Sequence, residues 1–95
     1  MIILSKSTLR DCTYPDAVPS LLKWYATAEK ANWQNLAEVR KEFPHADLIG
    51  DCTCFNIGGN NYRLIVKINY IKQKIFIKHI LTHKEYDKGH WKNDC

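Results

Sequence analysis

No stretch of this chain stays apolar for the roughly 18 residues that a membrane-crossing helix needs, so no transmembrane span is expected. Nor does a charged segment lead into a long apolar one near the N-terminus. That argues against a signal peptide and for a cytoplasmic protein with no membrane partner. Cysteine is present, but not in a zinc pattern: Cys52-Thr53-Cys54 has no second pair to complete four ligands, because Cys12 and Cys95 stand alone. A carboxylate cluster suited to a metal is also missing, so neither metal nor cofactor is expected. In a reducing compartment the four cysteines should be free thiols, with Cys52 and Cys54 on opposite faces of one strand. Repeats and low-complexity segments are absent. So is a series of aromatics spaced to stack on successive bases.

What is there fits one domain over residues 1–95, a length that buries about two-thirds of its unfolded surface in a single small core. The charge is unevenly spread. Residues 1–51 carry six basic and seven acidic side chains, a net −1, whereas residues 52–95 carry eight basic and three acidic, a net +5. An asymmetry of this kind suits either a polyanion partner for the basic half or a solubilising sheet surface.

Helical signals fill the first half. Ser5 or Ser7 can cap a short helix reaching about Thr13, with Pro15 ending it. Asp16 can cap a second helix, with Pro19 tolerated in its first turn and Val18, Leu21, Leu22, Tyr25 and Ala28 as a buried stripe. Asn32 or Asn35 can cap a third, ending before Pro44, whose apolar face is Leu36, Val39 and Phe43. Trp33 should seal the corner between these two helices. Residues 44–51 read as a loop.

The second half is organised by three β-branched, apolar runs. Gly58-Gly59-Asn60 accepts the positive φ of a tight hairpin, and Ile71-Lys72-Gln73-Lys74 leaves room for a second reversal. The expectation is an α+β fold: a small curved antiparallel meander, with Met1–Leu4 as a possible edge strand, packed against the N-terminal helices. In the middle strand Tyr62, Leu64, Val66 and Ile68 share the helix-facing side, while Arg63, Ile65, Lys67 and Asn69 should line an open, cationic one. In the third strand Lys74, Phe76 and Lys78 alternate with Ile75, Ile77 and His79. Residues 88–95 read as a loose tail that Trp91 could dock.

Chemistry gathers where the meander ends. Arg63 opens the middle strand and Thr82-His83-Lys84-Glu85-Tyr86-Asp87 follows its antiparallel neighbour, so the two ends should lie side by side. The Arg63 guanidinium can hold phosphate oxygens bidentately, and the His83 imidazole can move a proton near neutral pH. Lys84 adds positive charge, and Tyr86 can stack on a base or donate its phenolic proton. That set is sufficient for metal-free cleavage of RNA through its own 2′-hydroxyl. Lys67, Lys74, Lys78 and Lys88 are the further candidates for binding the RNA backbone. His45 and His90 fall in loops, and His79 reads as a structural strand residue.

Phe55-Asn56-Ile57-Gly58-Gly59-Asn60-Asn61-Tyr62-Arg63-Leu64-Ile65-Val66 and Thr82-His83-Lys84-Glu85-Tyr86-Asp87 resemble the two signature segments of HigB-type toxins, part of the RelE/ParE superfamily. Asn32-Trp33-Gln34-Asn35-Leu36 and Phe43-Pro44-His45-Ala46-Asp47 resemble that family too, and the likeness spans about residues 1–88. The resemblance implies a RelE-like fold and an mRNA endonuclease acting on ribosome-engaged messages. It also implies a cognate HigA-type helix-turn-helix antitoxin. Under it Arg63 is the phosphate-holding residue of the middle strand, and His83, Lys84 and Tyr86 form the polar segment after the last strand. The strongly basic helical clusters of some RelE-type toxins are absent here. Two further readings compete: a non-catalytic RNA- or protein-binding module on the same scaffold, and a gyrase poison of the ParE kind.

Overall fold

The β-branched runs do form the strands, and the glycines turn them. The computed structural model describes residues 1–95. Strand β3 (Cys52–Ile57) pairs antiparallel with β4 (Tyr62–Asn69) across a loop in which Gly58, Gly59 and Asn60 all have positive φ, at 61°, 63° and 89°. Strand β4 pairs antiparallel with β5 (Lys74–Thr82). Two short edge strands complete the sheet, β1 (Ile2–Leu4) and β2 (Asp47–Ile49), in the order β1-β5-β4-β3-β2. The N-terminal edge strand is therefore present, and it runs parallel to β5. Strand β2 replaces the loop expected over residues 44–51. At three residues it is too short for an alternation pattern to reveal it, and its pairing with β3 supplies the bonds.

One face of the sheet carries the core. Helices α2 (Val18–Lys30) and α3 (Leu36–Glu42) pack there with Phe55, Leu64, Val66, Ile75 and Ile77. Trp24, Trp33, Phe43 and Phe55 form an aromatic cluster, with Trp24–Phe55 and Phe43–Phe55 ring centres 5.5 and 5.2 Å apart. The α2 stripe is rotated from the expected one: Ala17, Leu21, Trp24 and Ala28 are buried, while Leu22 is 64% exposed. A tryptophan buries more apolar area than leucine and claims the core side of the helix. Val18, Leu22 and half-buried Tyr25 are left beside Leu9 in a groove flanked by Lys6 and Arg10.

The helix starts also differ. Asn35 does cap α3, accepting from the Glu38 N–H at 3.0 Å. Helix α1 (Ser7–Arg10) has no side-chain cap, and Ser5 instead adopts a left-handed φ of 63°. Asp16 lies inside a 3₁₀ turn (Pro15–Ala17) that runs into α2. Its carboxylate accepts from the Tyr62 hydroxyl at 2.6 Å rather than capping the helix. The Met1 ammonium donates to the carbonyls of Ala28, Glu29 and Ala31 at the end of α2, where a cation suits the helix dipole.

The other face is covered by the C-terminal segment. Helix α4 (His83–Lys88) begins with a reciprocal Thr82/Glu85 capping box and ends at Gly89, whose φ is 74°. Residues His90–Asp94 form a 3₁₀ turn that buries Trp91 against Cys52, Cys54 and Ile65. Residues 88–95 are thus an ordered cover, contrary to the loose tail expected from their polarity. They are held by a Cys52–Cys95 disulfide, a 2.7 Å contact between His79 Nε2 and Asp94, and a 3.0 Å bond from the Asp51 N–H to the Cys95 carbonyl. The expectation of four free thiols falls with that bond, leaving Cys12 and Cys54 free. Cys52 and Cys54 also share one face, as side chains two apart on a strand must. Closing a loop over a separation of 43 residues is worth about 4 kcal/mol in the chain-entropy account.

This cover overturns the open, cationic surface expected around Arg63 and Ile65. Both lie on the predicted side of β4, but they are 7% and 0% exposed. Register changes the expected faces of β5. Ile65 pairs with His79 and Val66 with Ile77, so Lys78 has no partner and forms a bulge. Beyond it His79 joins Ile65 on the covered face, away from Ile75 and Ile77, while Ile80 packs on the core.

Candidate active site

The site is built where β3, β4 and α4 converge. Pairing puts Asn56 opposite Arg63 and Cys54 opposite Asp47, so all four lie on the covered face of the sheet. With Pro44, His45 and Tyr86 they line a cleft of about 300 Å³. The Arg63 guanidinium donates from Nη1 to the Asn60 and Tyr62 carbonyls at 2.8 and 3.1 Å. No carboxylate pairs with it; Asp47 instead contacts Arg40, at 3.5 Å. A guanidinium this buried and uncompensated is disposed to take an anion.

Tyr86 is fixed by two neighbours. The Arg63 guanidinium carbon lies 5.2 Å from its ring centre, and the Trp91 ring stacks on it at 5.1 Å with 18° between planes. Arg63 and Trp91 therefore cover much of the ring from within the protein. Burial is the main force raising the phenol above its ordinary value, and Arg63 opposes it. At neutral pH Tyr86 is therefore a hydrogen-bond and proton donor rather than a base. Burial likewise pushes the Cys54 thiol up to about 11, so the site's sulfur stays protonated.

Of the residues that the sequence singled out for catalysis, the fold brings Arg63 and Tyr86 together. His83 and Lys84 lie on the exposed side of α4, outside the cleft lining. His83 Nδ1 sits 3.0 Å from Asp87 one turn on. The difference arises because residues 83–88 form a helix, which separates neighbours by about 100° of rotation. The signal for that helix was legible: Thr82-x-x-Glu85 is a capping box, and Gly89 a C-terminal stop. Pro44, His45, Asp47, Cys54 and Asn56 are the cleft residues that reading by motif did not select. His45 comes from the segment joining α3 to β2, so only the tertiary arrangement carries it there. The four lysines are scattered. Lys67 and Lys74 are half-buried in the sheet, Lys78 is exposed at the bulge, and Lys88 is exposed at the end of α4.

The cleft is braced from behind. The Tyr14 hydroxyl donates to Glu85 at 2.7 Å and its ring packs on Tyr62 at 5.0 Å, tying α4 to the segment before α2. The Thr82 N–H, then the Tyr14 hydroxyl, hold the Glu85 carboxyl below its usual range. The Asp16 bond pushes Tyr62 up to about 12. Nowhere are three His, Cys, Asp or Glu side chains gathered as a metal site requires, and no helix is long and apolar enough to cross a membrane.

An α+β protein whose mostly antiparallel five-stranded sheet is backed by N-terminal helices, with a cleft built around Arg63 on its opposite face, has the architecture of the RelE-like toxins. The chain belongs to the HigB toxin family, described as the RelE-like toxic component of a toxin–antitoxin system, whose family model matches residues 17–89. It is 33% identical over 93 residues to an mRNA interferase HigB of Escherichia coli O6:H1, covering 93% of this chain and 90% of that protein. It is 28% identical over 92 residues to an mRNA interferase toxin HigB of Escherichia coli K12, covering 92% and 88%. An mRNA interferase HigB of Shigella flexneri matches to the same extent. Membership implies an antitoxin partner.

Proposed function

We propose that this chain is an mRNA interferase that cuts messages engaged by the ribosome and so arrests translation, and that a cytoplasmic HigA-type antitoxin silences it. The observation that carries the reading is the buried Arg63 guanidinium, without a carboxylate partner, beside the neutral Tyr86 phenol. The relatives carry the interferase name, and Arg63 and Tyr86 both fall within the family match.

In this mechanism the scissile phosphate enters the cleft and its oxygens take the free donors of Arg63. His45, the imidazole in the cleft lining, removes the proton of the neighbouring 2′-hydroxyl. The resulting oxygen attacks phosphorus in line. Negative charge then grows on the phosphoryl oxygens, and Arg63 offsets it from a water-poor position. The Tyr86 hydroxyl donates its proton to the departing 5′-oxygen. His83 and Lys84, on the exposed side of α4, meet the strand outside the cleft, and Lys67, Lys74, Lys78 and Lys88 attract its backbone.

The test is the chemistry of the ends. Attack by the 2′-hydroxyl leaves a 2′,3′-cyclic phosphate and a 5′-hydroxyl, detectable by their resistance or susceptibility to end-labelling enzymes. Products carrying a 3′-hydroxyl and 5′-phosphate would overturn the mechanism.

A further inference from the structure

Trp91 and Cys95 lie past the last residue matched by the family model, residue 89. Yet this segment packs directly on Tyr86 of the candidate site. Trp91 is 4% exposed, stacks on Tyr86, and donates from its indole nitrogen to the Tyr86 carbonyl at 3.0 Å. It is thus bonded to both the ring and the backbone of the residue that faces Arg63. What keeps it there is the end of the chain. Cys95 is joined to Cys52 on β3, its carbonyl accepts from the Asp51 N–H at 3.0 Å, and Asp94 contacts His79 at 2.7 Å. Gly50 makes room for that docking: a Cβ there would come within 2.5 Å of the Cys95 carbonyl oxygen.

We propose that Trp91 is a positioning residue for Tyr86, held in place by the Cys52–Cys95 disulfide, so that RNA cleavage by this chain is switched by the redox state of that bond. The inference rests on the reading of Arg63 and Tyr86 as the nucleolytic pair. Disulfides inside the cell are seldom structural and are more often redox-sensing. The two sulfurs also differ in access, since Cys52 is fully buried and Cys95 half-exposed. A dithiol reductant therefore attacks the Cys95 sulfur. The Cys52 sulfur leaves as a thiolate and takes a proton. The reductant's second thiol then displaces Cys95 and closes its own disulfide. Two electrons pass to the protein, and an oxidant of the disulfide or peroxide class reverses the exchange. Cys54, two residues along on the same face, is protonated and does not compete. Once released, the segment keeps the Asp94–His79 contact, the Asp51–Cys95 backbone bond, the Trp91 packing and the indole bond to the Tyr86 carbonyl, but loses the covalent anchor that fixes them in place.

The experiment measures kcat and KM for a message that the oxidised chain cuts, before and after dithiothreitol, with thiols counted and thermal melts recorded. Cys95→Ser, Trp91→Phe and Trp91→Leu are assayed in parallel, with Arg63→Ala and Tyr86→Phe as reference variants. Misplacing a reacting group by about an ångström can cost on the order of 10²-fold, so reduction and Cys95→Ser should each lower kcat by roughly tenfold or more with KM little changed. Trp91→Phe should keep most of kcat, because a ring still stacks. Trp91→Leu should lose it at a temperature where its melt shows the fold intact. Full activity of fully reduced protein, or equal activity of Trp91→Leu and Trp91→Phe, would overturn the switch while leaving the site reading standing. Full activity of both reference variants would overturn the site reading and the switch together.

Discussion

Arg63 is held by two backbone carbonyls and an aromatic ring, with its remaining donors uncommitted. Replacing it with alanine should lower the cleavage rate by about 2–4 kcal/mol of barrier, the scale for removing one transition-state charge contact. Because the residue is buried, Arg63→Ala should also lower the melting temperature modestly. Arg63→Lys should fall between, since an ammonium keeps the charge but not the fork. An unchanged rate for the alanine variant would remove Arg63 from the mechanism. The Tyr86 ring is packed against Arg63 and Trp91, and its hydroxyl is the group assigned to proton transfer. Tyr86→Phe should therefore cost on the order of 10²-fold in kcat while the melt stays put. A fully active Phe variant would mean that only the ring matters. The two histidines separate cleanly. His45→Ala should lose on the order of 10²-fold as general base, and His83→Ala much less, because His83 lies outside the cleft lining beside Asp87. The reverse ranking would return the proton-transfer role to α4.

Helix α4 is only six residues long, too short to persist without its ends. Thr82→Ala, which removes the cap, should cost about 1 kcal/mol of stability and weaken cleavage by loosening Tyr86. The tethers behind the cleft carry a pH signature. Glu85 has its folded pKa depressed below the ordinary 4.5, first by the Thr82 N–H and then by Tyr14. The folded state thus binds this proton more weakly than the unfolded one, and the stability it lends is present above the ordinary value. It is lost as pH falls through the folded value. Tyr62 behaves oppositely. Its folded pKa is raised from 10.0 to about 12 by the Asp16 bond, so its contribution is intact below 10 and lost as pH rises towards 12. Melts from pH 7 down to 3 should therefore flatten in Glu85→Gln, and the alkaline decline should diminish in Tyr62→Phe. Curves superimposable on the parent protein would show that neither bond couples to folding.

Taken whole, the molecule offers an RNA strand very little to hold. Residues 52–95, which hold Arg63 and Tyr86, carry a net +5, enough for weak, salt-sensitive attraction but not for fixing a flexible backbone in the in-line arrangement. No aromatic ladder is displayed, and Tyr86, which could have begun one, packs its ring against Arg63 and Trp91. Cleavage of a message bound in a stalled ribosomal complex should therefore far exceed cleavage of the same message as naked RNA at equal toxin and salt. Equal rates would describe a plain ribonuclease. Expression without an antitoxin should arrest growth with loss of intact message, and Arg63→Ala should relieve the arrest.

Local chemistry decided much of this protein before any tertiary contact formed. The alternation Tyr62, Leu64, Val66, Ile68 sets which side of β4 meets the helices, because a strand turns its side chains by half a revolution per residue. Gly58, Gly59 and Asn60 determine the hairpin, since the left-handed region costs them little. Asn35 starts α3, and Arg63 with the segment after β5 marks the neighbourhood of the site. Other features depend on partners far apart in the chain, which no local pattern contains. Trp24 prevails over Val18 and Leu22 for the core because Phe55, from another layer, is there to receive it. The bulge at Lys78 moves His79 to the other face, a change of register that residue type does not announce. The polar run after residue 88 looks free until Cys52, a separation of 43 residues away, binds Cys95 and seats Trp91 on Tyr86. His45 enters the cleft for the same reason. Its place is set by how α3 and β2 dock on the sheet, and side-chain chemistry alone says nothing of where a loop will be carried.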